Sequence, residues 1–354
     1  MGRNIILKQW YTLGIISLFI GTTVIPLSGQ TIEKSALPML SGKWFYVGGS
    51  GPGNYTRIRD AINDSTNGDT VFVYDESSPY YQNILIDKSI RVIGEDKNTT
   101  TIIGTGDYDG SVLIIANKAF FGGFTIEQQA NAYGIWIKGN ENIITENIID
   151  NYYYGIYIES FYPSYSTKNM IFNNLIKNCF IGLELYHSSD NVITDNIFNN
   201  CEMDNRYGGG ISIAQGDNTV ISDNDIRFCG VGIYVEDSDS VSIFLNNVEK
   251  NAMGISTSSA NNIEITQNNI HLNRERNIVF REYIRQNMYI DNNYWGILKL
   301  FPKKILGLQL IYLFTLHLDE WNPPFGDWPI YLPLPKIYVD KNPAQKPYDI
   351  PGIR

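Results

Sequence analysis

Seven short segments of this chain share the form Gly-Ile-x-Ile or a close variant, and their variable positions carry chemistry. The residue after the first Ile is, in turn, Trp136, Tyr157, Glu184, Ser212, Tyr234, Ser256 and Val279. The residue two further on is Lys138, Glu159, Tyr186, Ala214, Glu236, Ser258 and Arg281. Aromatic rings stack on sugar faces and carboxylates accept hydrogen bonds from hydroxyls. Trp136, Tyr157, Glu159, Glu184, Tyr186, Tyr234 and Glu236 are therefore the candidate ligand-binding residues, arranged to read an extended glycan. Exposed Tyr on a sheet also follows from β-propensity alone, which is the competing explanation.

Paired carboxyl groups suit glycoside hydrolysis when they stand roughly 5 to 9.5 Å apart. Glu159 with Glu184, or Asp195 with Asp223, are pairs that neighbouring repeats would bring together. Cys179, Cys201 and Cys229 form another regular set, each five residues after an Asn. Three thiolates in line would suit Cu(I), and neighbouring strands put cysteines within disulfide reach. Tyr152 or Asn251 stands at the same place in other copies, however, and buried Cys is often a small apolar filler. The three are read as a structural stack, with metal binding as the alternative. His187, His271 and His317 fall at unrelated positions and make no metal set. Acidic residues are scattered, so no calcium cluster is evident. No cofactor is expected, copper or calcium being the alternatives. The stretch "GGSGPG" at 48–53 lacks the Gly-Lys-Ser/Thr ending of a phosphate loop and reads as a turn.

These positions need a scaffold, and a second pattern supplies it. The form I-x-x-N-x-I recurs around Asn147, Asn174, Asn196, Asn224, Asn246 and Asn268, with asparagine steps of 27, 22, 28, 22 and 22 residues; a degenerate copy follows at Tyr289/Asn292/Tyr294. Each unit holds at least two short strands and leaves no room for a helix. Alternation turns Ile135 and Ile137 inward and Trp136 outward, and likewise in every copy. Stacked units pair in parallel about 4.8 Å apart, with the asparagines forming a hydrogen-bonded ladder. The Gly before each Ile, replaced by Asn277 in the last copy, is expected at a left-handed corner. The fold class is all-β: a right-handed, single-stranded parallel β-helix, or solenoid. A leucine-rich repeat has a similar period, but here the repeat uses Ile and its second half is a strand.

Residues 43–298 form the solenoid, with regular repeats over 134–295. "NYTRIRDAIND" offers a capping helix with Asn54 as N-cap and Ile58, Ala61 and Ile62 on one face. Residues 299–354, rich in Pro and aromatics and without period, are expected to be an irregular C-terminal cap; the apolar run at 305–318 within them is too short to span a bilayer as a helix and reads as buried protein. Two insertions lengthen the unit, "ESFYPSYSTK" at 159–168 and "CEMDNRYGGG" at 201–210. Phe161, Tyr162, Tyr165, Asp204 and Arg206 would wall a groove there, unless the loops are neutral drift. Residues 1–29 place Arg3 and Lys8 before an uncharged apolar stretch, as in a signal peptide or an N-terminal membrane anchor. Sequons at Asn54, Asn63 and Asn98 are consistent with export. The formal net charge is −10, which argues against nucleic acid as a partner.

The tandem "N-x-I-x-x-N-x-x-x-G-I-x-I" units resemble the NosD-type family of parallel β-helix proteins. The opening coil "WFYVGGSGPGNYTRIRDAINDSTNGDTVFVYDESSPYYQN", "IGEDKNTTTI", "NNYWG" and "NPAQKPYDIPG" are similar to archaeal exported members. The resemblance covers about residues 43–354. It implies an exported solenoid: some relatives accompany copper-enzyme maturation, and others resemble carbohydrate-active or carbohydrate-binding surface proteins. The N-T-D, D-D, G-H-G and R-I-K motifs of pectinase-type β-helix hydrolases are absent, so no catalytic residue is assigned. The expectation is an extracellular or cell-surface protein without catalytic activity. It would bind a polysaccharide, or another cell-surface glycan or protein, along one face and touch membrane only through its N-terminal segment. A polysaccharide lyase or glycoside hydrolase, and a copper-enzyme maturation factor, are the rival readings.

Overall fold

The computed structural model describes residues 42–105, 110–128, 133–160, 166–202, 209–282, 287–296, 303–316 and 328–350, with backbone alone for 282, 306–316 and 328–335. Residues 1–29 and the insertion residues Phe161, Tyr162, Tyr165, Asp204 and Arg206 lie outside the described residues.

The repeat folds as a right-handed parallel β-helix of about 10 turns. Each regular coil has three strands, one more than the two the repeat requires. In one coil they are Ile143–Thr145, Ile148–Asp150 and Tyr154–Glu159, and each stacks in parallel on its equivalents above and below. Three faces result. Face one runs from Trp44–Val47 to Met288–Asp291, face two from Tyr80–Tyr81 to Asn269–His271, and face three from Ile84–Ile86 to Arg276–Glu282 before ending in a hairpin. The three-residue strands of faces one and two always bury their central residue, and on face one this gives the column Ile144, Ile171, Ile193, Ile221 and Ile243, continued by Ile265, all fully buried. Each such side chain contributes about 1.5–3 kcal/mol of hydrophobic stabilisation.

The corners put residues other than glycine into the left-handed region: Asp195 (φ 56°), Asn200 (φ 57°) and Asn218 (φ 52°) turn successive corners of one coil. That conformation costs about 1–2 kcal/mol for a residue with a Cβ, and the buried asparagines offset it. Asn174 accepts the Asn147 N–H at 3.1 Å, while its own amide donates to Phe172 O at 3.0 Å and to Asn196 Oδ1 at 3.0 Å. The same pattern continues through Asn224, Asn246 and Asn268. A second, shorter ladder of Asn142, Asn169 and Asn191 supports the corner before face one.

Three expectations change. The glycine of the Gly-Ile-x-Ile segment is not in the left-handed region; it is there for space. A Cβ on Gly155 would stand 2.6 Å from Gly182 O and 2.7 Å from Ile176 Cγ2. The last ladder rung is Asn293, one residue later than the Tyr289/Asn292/Tyr294 pattern: Asn268 N donates to Asn293 Oδ1 at 3.0 Å. This register buries Ile290 and exposes Tyr289 by 58%. The capping helix, α1 (Ile58–Asp64), buries Ile58, Ala61 and Ile62 but starts after Arg57 without a side-chain cap. Asn54 instead donates to Gly48 O at 2.6 Å and closes the preceding turn.

The C-terminal segment is also more regular than its composition suggests. Strands Lys303–Leu316 and Trp328–Asp340 form a long antiparallel hairpin whose first strand extends face three through Arg281↔Leu308 and Glu282↔Gln309. Its second strand is the edge of the sheet. Pro329, Pro333 and Pro335 share one parity in that strand, so all their missing N–H groups face the same way. An edge strand tolerates this where a central strand does not. Beyond the hairpin the chain crosses the end of the solenoid, with Ala344 N on Asn293 O at 3.0 Å and Tyr348 N on Asn269 Oδ1 at 2.7 Å.

Candidate functional site on face three

Face three has the longest strands of the regular coils, six residues each from Tyr154–Glu159 to Met253–Ser258. They show two residues per strand as outward columns. Register pairs Trp136 with Tyr157, Tyr157 with Glu184, Glu184 with Ser212, and Ser212 with Tyr234. In the next column Glu159 pairs with Tyr186, Tyr186 with Ala214, and Ala214 with Glu236. The candidate residues thus share one surface but not one continuous cluster. Trp136, Tyr157, Glu159, Glu184 and Tyr186 lie on three successive strands. Tyr234 and Glu236 stand beyond a row with only Ser212 and Ala214.

Two further rings join the first group. Tyr133 and Tyr154 precede the glycines of their strands, where strict alternation would turn them inward. Gly155 and Ile156 both face the core, however, so alternation slips by one residue and Tyr154 emerges beside Tyr157. Tyr133 stacks on Tyr154 at 5.2 Å between ring centroids, on Tyr157 at 5.0 Å and on Trp136 at 4.8 Å. The ammonium of Lys138 sits 3.7 Å above the Trp136 ring. These rings use much of their faces on one another and on Lys138. Tyr186, 39% exposed, is the most accessible ring of the group. The signal that would have found Tyr133 and Tyr154 is the recurrence of Tyr immediately before two successive glycines.

Burial within this aromatic group pushes Glu184 up to about 7; a hydrogen bond with Tyr154 works against the shift and the nearby Glu159 adds to it. Burial likewise raises Glu159, opposed mainly by Lys138, and raises Tyr154 and Tyr157. Within this group two buried polar atoms have no hydrogen-bond partner, Glu184 Oε2 and Trp136 Nε1, as do five others elsewhere among the described residues. The indole N–H lies near the Glu159 carboxyl without closing a hydrogen bond of good geometry.

The second carboxylate pair is elsewhere. Asp195 and Asp223 occupy equivalent corners between faces one and two in adjacent coils, with Thr194 and Ser222 hydroxyls 3.1 Å apart beside them. Partial burial raises both and brings Asp223 to about 6. On face two, Arg227 meets Asp225 at 2.6 Å and Glu249 at 3.3 Å, and His271 Nε2 lies 3.5 Å from Glu249, so those charges satisfy one another.

The sequence family described as periplasmic copper-binding protein (NosD) matches residues 62–299, about two thirds of the chain. No curated protein matches the chain. Among solved structures, the enzymatically active domain of tailspike protein 2 from bacteriophage CBA120 is similar with a TM-score of 0.55 at 14% identity, over 82% of this chain and 46% of that one. The Dettilon tailspike protein is similar with a TM-score of 0.53 at 14% identity, over 68% and 51%. The chain spans about half the length of each tailspike, and the likeness is one of fold.

That family description makes copper the group to test against the residues present. Cys179, Cys201 and Cys229 do stand on successive rungs of one interior column, all as free thiols and at most 1% exposed. Cys179 and Cys229 each donate to the carbonyl two residues back, at 3.3 Å. Burial pushes the Cys179 thiol well up, and a hydrogen bond with Cys229 together with burial does the same to Cys201. A copper ligand is a thiolate, and burial that opposes ionisation of Cys179 and Cys201 in a column sealed from solvent makes these residues a poor fit for the ion. Among the described residues no group of three or more His, Cys, Asp or Glu is placed to hold a metal.

Proposed function

The chain belongs to the NosD family of β-helix proteins, and on that footing we propose that it is an exported surface protein that binds carbohydrate along face three without catalysing a reaction. The observation carrying this reading is the concentration of Tyr133, Trp136, Tyr154 and Tyr157 beside Glu159 and Glu184 on three neighbouring strands. Small residues occupy much of the rest of the face: Ser212, Ala214, Ser256 and Ser258. β-propensity alone would scatter aromatics over every coil rather than gather them with carboxylates. The family description supports export. The proposed route is residues 1–29 acting as a signal or anchor, with residues 43–298 as the binding solenoid and 299–354 as its cap.

The test is affinity electrophoresis of the full chain through gels carrying a panel of polysaccharides, with each gel assayed for released product. Wild type is run beside a Trp136→Ala/Tyr157→Ala/Tyr234→Ala variant. Retardation that disappears in the variant, with no product, is the expected result. A hydrolase is the second reading, favoured by the raised Glu184 beside Glu159: a carboxyl group that holds its proton near neutral pH can act as a general acid. Release of shortened glycan would replace the binding reading with that one.

A further inference from the structure

The C-terminal hairpin outruns the solenoid it closes. Its first strand is held on face three through Leu308 and Gln309, and from Leu310 onward the two strands pair with each other alone. Leu310 to Leu316 carry this two-stranded arm about 23 Å beyond the pairing with face three. At the base of the hairpin, Ile305 is buried in the solenoid core, and its register partner Tyr338 meets the Phe280 ring at 4.9 Å. Alternation, with the register shift after Tyr312, places Ile311, Phe314, Leu316, Trp328, Ile330 and Leu332 on that same face of the ribbon. A core-type face thus continues past the coil it covers. Tyr312, Thr315 and Tyr331 share the opposite face. No residue of 308–316 or 328–335 is charged; Lys303, Lys304, Lys336 and Lys341 stand at the base, and Asp319, Glu320 and Asp327 belong to the segment joining the strands.

We propose that this arm docks on a lipid surface, lying flat at the boundary between headgroups and acyl chains with its wholly apolar face toward the chains. Three features favour lipid over protein. A ribbon about 23 Å long and about 10 Å wide offers roughly 230 Å², whereas a stable dimer needs about 800 Å² from each partner. Strand addition by a second copy is blunted by Pro329, Pro333 and Pro335 on the edge strand. Trp and Tyr also favour the membrane–water boundary, where an apolar ring with one polar atom suits both sides. The arm does not span. Its open edges need water or headgroups as hydrogen-bond partners, which hydrocarbon does not supply, and the acidic joining segment belongs in water. The net charge of −10 makes the fitting surface zwitterionic rather than anionic, with exposed Lys304 and Lys341 placed at the base to meet its phosphates.

The test is flotation of the full chain with phosphatidylcholine vesicles, beside an Ile311→Glu/Ile330→Glu variant. Two charges on the apolar face should weaken flotation by at least about tenfold and leave the thermal midpoint unchanged. Residues 1–29 are present in both proteins, so equal flotation would assign lipid binding to them and overturn the proposal. Bromine-labelled phosphatidylcholine gives a second reading without a disruptive change. It should quench the tryptophan fluorescence of wild type more than that of Trp328→Phe, and equal quenching of the two would also count against the arm. Flotation of neither protein, or a dimer in sedimentation that the double variant loses, would overturn the lipid assignment, the dimer giving the face to a second copy.

Discussion

Asp340 accepts the backbone N–H of Asn293 at 3.1 Å, and in doing so takes the place that the next asparagine holds at every other rung of the ladder. It also accepts Asn292 N at 3.1 Å and Trp295 Nε1 at 2.9 Å. Its side chain belongs to a fully buried residue that arrives from the end of the hairpin. The C-terminal segment thus ends the solenoid by supplying the acceptor for the last rung of the ladder.

Asp340→Ala should leave two buried donors, Asn293 N and Trp295 Nε1, unmatched, each costing about 1–3 kcal/mol. Because solenoid stability is a sum of neighbouring interfaces, the loss should appear first in the last coil. Hydrogen exchange is expected to speed up over residues 288–296 while the central coils keep their protection. Asp340→Asn retains one acceptor and should fall between wild type and Asp340→Ala.

Asn196 sits mid-ladder, donating to Ile171 O at 2.8 Å and Thr194 O at 2.9 Å and accepting Asn174 N at 3.1 Å. Asn196→Ala should destabilise the chain by roughly 3 kcal/mol or more by denaturant titration. Asn196→Asp should be worse still, since it turns a donor into a buried negative oxygen facing carbonyls.

The glycine reading makes a contrast available within one pair of coils. On Gly182 a Cβ would stand 2.6 Å from both Gly210 O and Phe198 Cδ1, whereas on Gly209 its closest neighbour would be Val231 O at 3.4 Å. Gly182→Ala should cost about 1–3 kcal/mol by overpacking, and Gly209→Ala less than half a kcal/mol. Equal thermal midpoints for the two variants would show that space is not what selects glycine at position 182.

Glu184 ties stability to pH. Its folded value, about 7, lies above the value of about 4.3 for a free side chain, so the folded protein binds the extra proton. The stability from this group is fully present below about pH 4.3 and is lost as pH rises through about 7. Glu184→Gln does not titrate. Its melting temperature should match that of wild type near pH 4 and exceed it at pH 8 to 9, measured by circular dichroism on both proteins across that range.

Much of the fold was legible because a solenoid writes its contacts into its period. The Ile at each I-x-x-N position meets its equivalent one repeat away, so spacing alone names the neighbours, the parallel pairing and the buried column. The pattern failed where neighbours are not one repeat apart. Asn293 displaced Asn292 as the last rung because burial of Ile290 set the register. Asp340, 47 residues further on, closes the ladder through a hairpin with no counterpart in any repeat. The candidate site divides the same way. Trp136, Tyr157 and Glu184 fall in one outward column by simple alternation, and the repeat determined that much. Tyr133 and Tyr154 join them because each strand turns at a glycine crowded by the next coil, which slips the alternation by one residue. The unpaired Trp136 Nε1 and Glu184 Oε2, the raised Glu184 and the sealed thiols of Cys179, Cys201 and Cys229 all depend on what excludes water at each atom. Burial is a property of the stacked coils together, so only the tertiary structure decided those.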